Sequence, residues 1–145
     1  MAKGASQLNR SAMHLLHRAG QCATDIFASE ARASGLTPRQ FAVLMAVSEE
    51  EGLTQTDLVE RTGIDRSTLA DIVGRLLSHG LIQRRRAKED ARAYAIKLTP
   101  QGAKVLREAQ PGAAAADTRL LANLPPAKRQ DFLDSLSLIV TTARK

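Results

Sequence analysis

A single cysteine, Cys22, stands in this chain of 145 residues, so no disulfide can form within it and a cysteine-rich metal site is excluded. Tryptophan is absent and aromatic residues make up only 3% of the chain. The core must therefore be built from Leu, Val, Ile and Ala, a set in which Ala and Leu favour helix. Long apolar runs are missing too. The longest, residues 41–47, falls far short of the roughly 20 residues that a membrane-spanning helix needs. The opening Met1-Ala2-Lys3-Gly4-Ala5-Ser6 leads into polar residues, not an apolar stretch, so no secretory leader is read there. A cytoplasmic location and no membrane partner are expected. Catalytic signatures are lacking as well. There is no Gly-rich phosphate loop and no Ser/His/Asp or Cys/His arrangement with meaningful spacing, and His14, His17 and His79 form no evident metal triad. No enzyme activity, no metal and no resident cofactor are expected.

What the chain does carry is positive charge. Its 21 Lys and Arg outnumber 15 Asp and Glu, a net charge of +6. That balance favours a polyanionic partner such as nucleic acid or anionic lipid, and by itself it also fits a plain basic surface. With 43% hydrophobic and 25% charged residues, the chain has the composition of a folded domain.

Apolar residues from Leu8 to Phe27 recur at helical spacing and predict a long first helix over residues 7–33, with Gly35 as its stop. Thr37-Pro38-Arg39-Gln40 has the form of a capping box with Pro at the first helical position, and it opens a buried helix ending near Ser48. Thr54-Gln55-Thr56-Asp57 repeats the cap, and Gly63 ends that helix after about two turns. Asp65 opens the next helix, which runs to about His79 with Gly80 beyond it. Gly74 within it costs about 1 kcal/mol relative to Ala, and close packing or the close approach of a backbone would account for it. Residues 81–85 and 92–98 read as strands joined by a charged tip. Thr99-Pro100 starts a further helix, which Pro111-Gly112 should kink or break, and a last helix runs from Pro125-Pro126 to about Thr142.

Two helices joined through Gly63 fit a helix-turn-helix, whose second helix enters the major groove. Arg66, Ser67, Thr68, Asp71 and Arg75 stand on the polar side of that second helix. Serine and threonine can contact phosphates or base edges, and arginine can do either. Arg84, Arg85, Arg86, Lys88 and Arg92 add five positive charges over nine residues. Arg92 is the candidate for entry into the minor groove, with Asp90 orienting its guanidinium, while the other arginines contact phosphates and make binding salt-dependent. A nonspecific DNA-coating or architectural protein would share these features, and a winged adaptor for protein partners is a third reading.

Asp90-Ala91-Arg92-Ala93, followed by Ile96, Leu98-Thr99 and Gly102, resembles the wing signature of the MarR family of bacterial transcriptional regulators. Upstream, Leu53-Thr54-Gln55-Thr56-Asp57-Leu58, then Asp65-Arg66-Ser67-Thr68, Leu76 and Gly80-Leu81-Ile82 are similar to the family pattern, so the likeness covers residues 36–102. The resemblance implies a mainly helical fold with a small β-hairpin wing: a winged helix-turn-helix over residues 36–99, flanked by dimerisation helices over 7–35 and 100–143, in a triangular homodimer. It implies a repressor that reads a pseudo-palindromic operator in double-stranded DNA, with Thr54 and Gln55 joining the contact residues. The apolar stripes of residues 7–33 and 113–142, which one small winged domain would struggle to bury, agree with a two-fold dimer. The family also implies a small-molecule effector, an aromatic acid or its acyl-coenzyme A thioester. By position, His14, His17, Arg18, Arg39 and Phe41 line or flank its pocket. Each has a plainer reading as a surface, interface or core residue, and Cys22 reads as a small interface residue.

Overall fold

The computed structural model describes residues 6–86 and 94–143. Side-chain caps set most of the element boundaries. The Ser11 hydroxyl accepts the His14 N–H at 3.3 Å and starts α1 at Ala12–Glu30, so the helix expected over residues 7–33 is shorter and flanked by two 3-10 turns, Leu8–Arg10 and Arg32–Ser34. In α2, Pro38–Glu49, Thr37 and Gln40 form the complete capping box. Thr54 and Asp57 form the second one at the start of α3, Gln55–Thr62, so Asp serves in place of the commoner Glu. Gly63, at φ +73°, turns the chain into α4, Arg66–Ser78. The helical C-terminus closes as Gly80, at φ +72°, and Leu81 donate back to Leu77 and Leu76.

The wing is an antiparallel pair, β1 at Ile82–Arg86 and β2 at Tyr94–Leu98, in the register Ile82 with Leu98 and Arg86 with Tyr94. The Ile96 N–H donates to the Leu53 carbonyl at 2.8 Å and fastens the wing to the segment between α2 and α3. Val43, Leu44, Leu58, Leu69, Val73, Leu76 and Ile96 are fully buried and form the centre of the winged core.

From the wing, α5 runs unbroken over Pro100–Leu121, with Pro111 inside it. The break expected at Pro111-Gly112 does not occur. An internal proline costs about 3 kcal/mol through a lost hydrogen bond and a ring clash, and here packing on both sides of it offsets that cost. Leu106 and Ala109 are buried on one side, and Ala116 packs with Phe27 and Ala31 on the other. Gly112 permits the crossing. A Cβ there would lie 2.6 Å from the Glu30 carbonyl oxygen and 2.9 Å from Ala31 Cα. Arg119 pairs with the Glu30 carboxylate at 3.2 Å beside the same crossing. The small cluster around Phe27 meets the winged core at Phe41, whose ring lies 5.7 Å from that of Phe27.

The last helix, α6 at Pro126–Thr142, buries none of its residues. Leu133, Leu138, Ile139 and Val140 are 44–64% exposed, as are Met13, Leu15 and Leu16 of α1 at 47–70%. Among the described residues, nothing covers these apolar stripes.

Candidate nucleic-acid interface

In α4, Leu69, Ile72, Val73 and Leu76 face the core, which turns Ser67, Asp71, Gly74 and Ser78 to the opposite, exposed side. The most exposed strip of this helix is therefore small and polar. Among the described residues, nothing outside its own stretch of helix lies within 4 Å of where a Gly74 Cβ would stand, so packing against them does not account for this glycine. Arg75 donates from Nε to the Asp71 carboxylate at 3.1 Å, which leaves the outer nitrogens of its guanidinium for other acceptors. Arg66 donates from Nη1 to the Thr56 hydroxyl of α3 at 3.3 Å.

Asp65 caps α4 by accepting from the Thr68 N–H at 2.7 Å and from the Thr68 hydroxyl at 2.9 Å. These bonds favour the carboxylate and hold its pKa below the usual range, with a smaller contribution from Arg39. The Thr68 hydroxyl is thus committed to the cap. Because the folded pKa is lowered, the cap's contribution is present above about pH 4 and is lost as pH falls through the folded value. We expect Asp65→Ala to melt below the unmodified protein at neutral pH, and Asp65→Asn, which keeps a capping oxygen, to melt close to it. Equal melting of the Ala variant by circular dichroism would contradict this account of the cap.

The structure brings Arg66 and Thr56 together across the two helices of the helix-turn-helix. Thr54 and Gln55 are half-buried at the α3 N-terminus, where the Thr54 hydroxyl is occupied by the capping box. Arg84, Arg85 and Arg86 are exposed on β1. Arg86 stands 5.6 Å over the Tyr94 ring and reaches its hydroxyl at 3.5 Å. Lys88, Asp90 and Arg92 lie outside the described residues. Neither Thr56 nor Tyr94 was singled out as a contact residue by the sequence. A polar residue within reach of an arginine on the neighbouring element was the available signal.

Beside α4 an open cleft of about 490 Å³ runs between α1 and the start of α2, with Thr24, Arg39, Gln40, Thr68, Asp71 and Arg75 in its lining. A smaller cavity of about 180 Å³ adjoins it, lined by Ala23, Phe27, Ala116 and Leu120 and sharing Thr24 and Pro38 with the cleft. Of the expected effector residues, Arg39 lines the cleft. Phe41 is half-buried between the two apolar clusters, and His14, His17 and Arg18 on α1 line neither space. Phe27 is a lining residue that the sequence reading did not single out. Cys22 is exposed, and among the described residues no cluster of His, Cys, Asp and Glu is placed to hold a metal ion.

Residues 34–93 match the model of the MarR family. The transcriptional regulator HosA of Escherichia coli O127:H6 is 30% identical over 107 residues, which span 74% of this chain and 79% of HosA. The chain belongs to the MarR family. It is a MarR-family transcriptional regulator, and the mainly helical fold with a two-stranded wing is the family's winged helix-turn-helix. Solved structures of two MarR-family proteins superimpose closely on it. Bordetella bronchiseptica BpsR, whose DNA binding is regulated by 6-hydroxynicotinic acid, shares 29% identity with a TM-score of 0.87, covering 94% of this chain and 98% of BpsR. The repressor CouR bound to a DNA duplex shares 27% identity with a TM-score of 0.86, covering 97% and 99%. CouR bound to p-coumaroyl-CoA gives 28% identity and a TM-score of 0.81, covering 99% of each chain. These relatives give no support to the nonspecific architectural reading. Among the described residues, no helix of this MarR-family chain is long and apolar enough to cross a membrane.

Proposed function

We propose that the protein is a cytoplasmic repressor that binds a pseudo-palindromic operator as a homodimer and is released by an aromatic acid or its acyl-coenzyme A thioester. Residues 36–99 read DNA, and residues 7–35 and 100–143 dimerise. α4 enters the major groove with Ser67, Asp71 and Arg75 toward the bases. Arg66, Arg84, Arg85, Arg86 and Lys88 contact phosphates, with Thr54 and Gln55 beside them, and Arg92, oriented by Asp90, enters the minor groove. Thr68 serves the interface through its cap.

The observation that carries effector control is the shared lining: Thr68, Asp71 and Arg75 belong both to the DNA-reading helix and to the cleft against α1 and α2. A ligand there acts directly on the reading surface. The adjoining apolar cavity of about 180 Å³ suits one ring, since a cavity of about 150 Å³ accommodates benzene. Phe27 offers that ring an aromatic neighbour, and Arg39 in the cleft offers a carboxylate or phosphate a charged donor. BpsR and CouR, which respond to or bind an aromatic acid and an aromatic acyl-coenzyme A, support the choice of ligand class.

Titration calorimetry with 6-hydroxynicotinic acid and with p-coumaroyl-CoA tests the ligand class. Binding of at least one is expected, weakened about tenfold or more in Arg39→Ala by loss of a charge-assisted contact. Absence of heat with both ligands overturns that choice. For DNA, Arg92→Ala is expected to weaken binding to a selected inverted repeat while the dimer stays intact. Unchanged affinity would remove Arg92 from the groove.

A further inference from the structure

Resting on the DNA-binding reading, we infer that Thr56 of α3 is a positioning residue for Arg66: its hydroxyl fixes the guanidinium across the helix-turn-helix so that the two together grip one DNA phosphate. Arg66 is the first residue of α4, with Asp65 as the cap before it. A cation in the first turn of a helix meets the positive end of the helix dipole, so this position does not favour arginine on stability grounds. The adjacent Asp65 carboxylate is taken by Thr68, and among the described residues no carboxylate stands within ion-pair distance of Arg66. The guanidinium is instead held by a neutral oxygen, Thr56 Oγ1, at 3.3 Å, ten residues away in sequence.

That bond has a direction. Arg66 donates and Thr56 accepts, so the hydroxyl proton of Thr56 remains to be donated elsewhere. Both side chains are exposed. Thr56 is the second residue of α3, and the helix-turn-helix geometry lays that first helix across the DNA backbone. A phosphate oxygen placed there accepts from the hydroxyl and from the remaining guanidinium N–H groups at once. No base edge is needed, so the contact acts on any sequence.

Fluorescence anisotropy over a salt series tests this, with two labelled duplexes: an inverted repeat selected by the protein from a random pool, and a scrambled version. Arg66→Ala should weaken binding to both by roughly tenfold or more, as expected for a charge-assisted contact. Thr56→Val, close in shape but without the hydroxyl, should weaken both about threefold to tenfold. It should also flatten the slope of log K against log salt, with about 0.9 as the full value for one lost phosphate contact. Thr56→Ser should restore wild-type affinity and slope, and Thr56→Val should cost clearly less in the Arg66→Ala background than alone, because only the hydroxyl's own phosphate bond is then left to lose. Melting temperatures report whether each variant is folded. Wild-type affinity in Thr56→Val, additive losses in the double variant, or a loss at unchanged salt slope would each overturn the inference while leaving the DNA-binding reading in place. An unmodified protein that binds neither duplex would overturn both.

Discussion

Replacing Gly102 with alanine is expected to destabilise the winged domain by about 3 kcal/mol or more, a large part of the 5–15 kcal/mol that holds a typical domain folded. Gly102 lies in the first turn of α5, and a Cβ there would stand 1.8 Å from the Leu81 carbonyl oxygen and 2.8 Å from its carbon. The obstacle is backbone, so no side-chain rotation relieves it. Nor is that backbone free to retreat. The Leu81 N–H donates to Leu76 at 3.0 Å and the Leu81 carbonyl accepts from the Thr99 N–H at 3.1 Å. The Thr99 hydroxyl donates to the Gly80 carbonyl and accepts from the Gly102 N–H. Relief would pull α5 off the junction between α4 and the wing and break these bonds together. Alanine's better helix propensity returns only about 1 kcal/mol. Gly74→Ala is the control, because open space surrounds that position and propensity alone should raise stability slightly. Urea unfolding measures both. A Gly102→Ala midpoint equal to wild type would show that the crossing has slack the geometry does not indicate.

The second large effect is expected from Ile139→Glu on α6. The unmodified chain should sediment as a dimer and the variant as a monomer, with DNA affinity lower by about a hundredfold or more because the two half-site contacts are no longer linked. Phe132, Leu136 and Ile139 share a side of a helix that buries none of its own residues, and Ile139 is 52% exposed. Covering an aliphatic side chain contributes roughly 1.5–3 kcal/mol. In a two-fold interface each substitution occurs twice, so the change removes two such contributions and places two carboxylates in an apolar seam. Sedimentation velocity reads the assembly, and anisotropy reads the DNA. A dimeric variant would move the interface off this side of α6, and a monomeric wild type would overturn the homodimer.

Most element starts were legible because a cap is a local event. Thr37 with Gln40, Thr54 with Asp57, and Thr99 ahead of Pro100 each complete their hydrogen bonds within three residues, and spacing along the chain is enough to place them. In α5 the alternative of a break at Pro111-Gly112 does not occur. Locally, Pro111-Gly112 is a helix-breaking pair, and nothing nearby in sequence announces that Glu30 and Ala31 pass within van der Waals range of Gly112. The site divides in the same way. The arginines of α4 and β1 could be read from composition and order, whereas the cleft against Arg39 requires α1, α2 and α4 to converge. Thr68, expected among the DNA contacts by its position, donates its hydroxyl to Asp65.

By itself, then, the sequence determined the helix-turn-helix, the wing strands and the order of the basic residues, since caps, periodicity and charge order are carried by neighbouring residues, and its motifs resembled those of the MarR family. Tertiary structure alone decided three things. It kept α5 continuous, it gave Arg66 a hydroxyl partner in Thr56, and it opened a cavity beside Phe27 adjoining the cleft that α4 helps to line. Each depends on how closely separate helices approach, and that distance is set by the packing of the whole core, not by the spacing of any local motif.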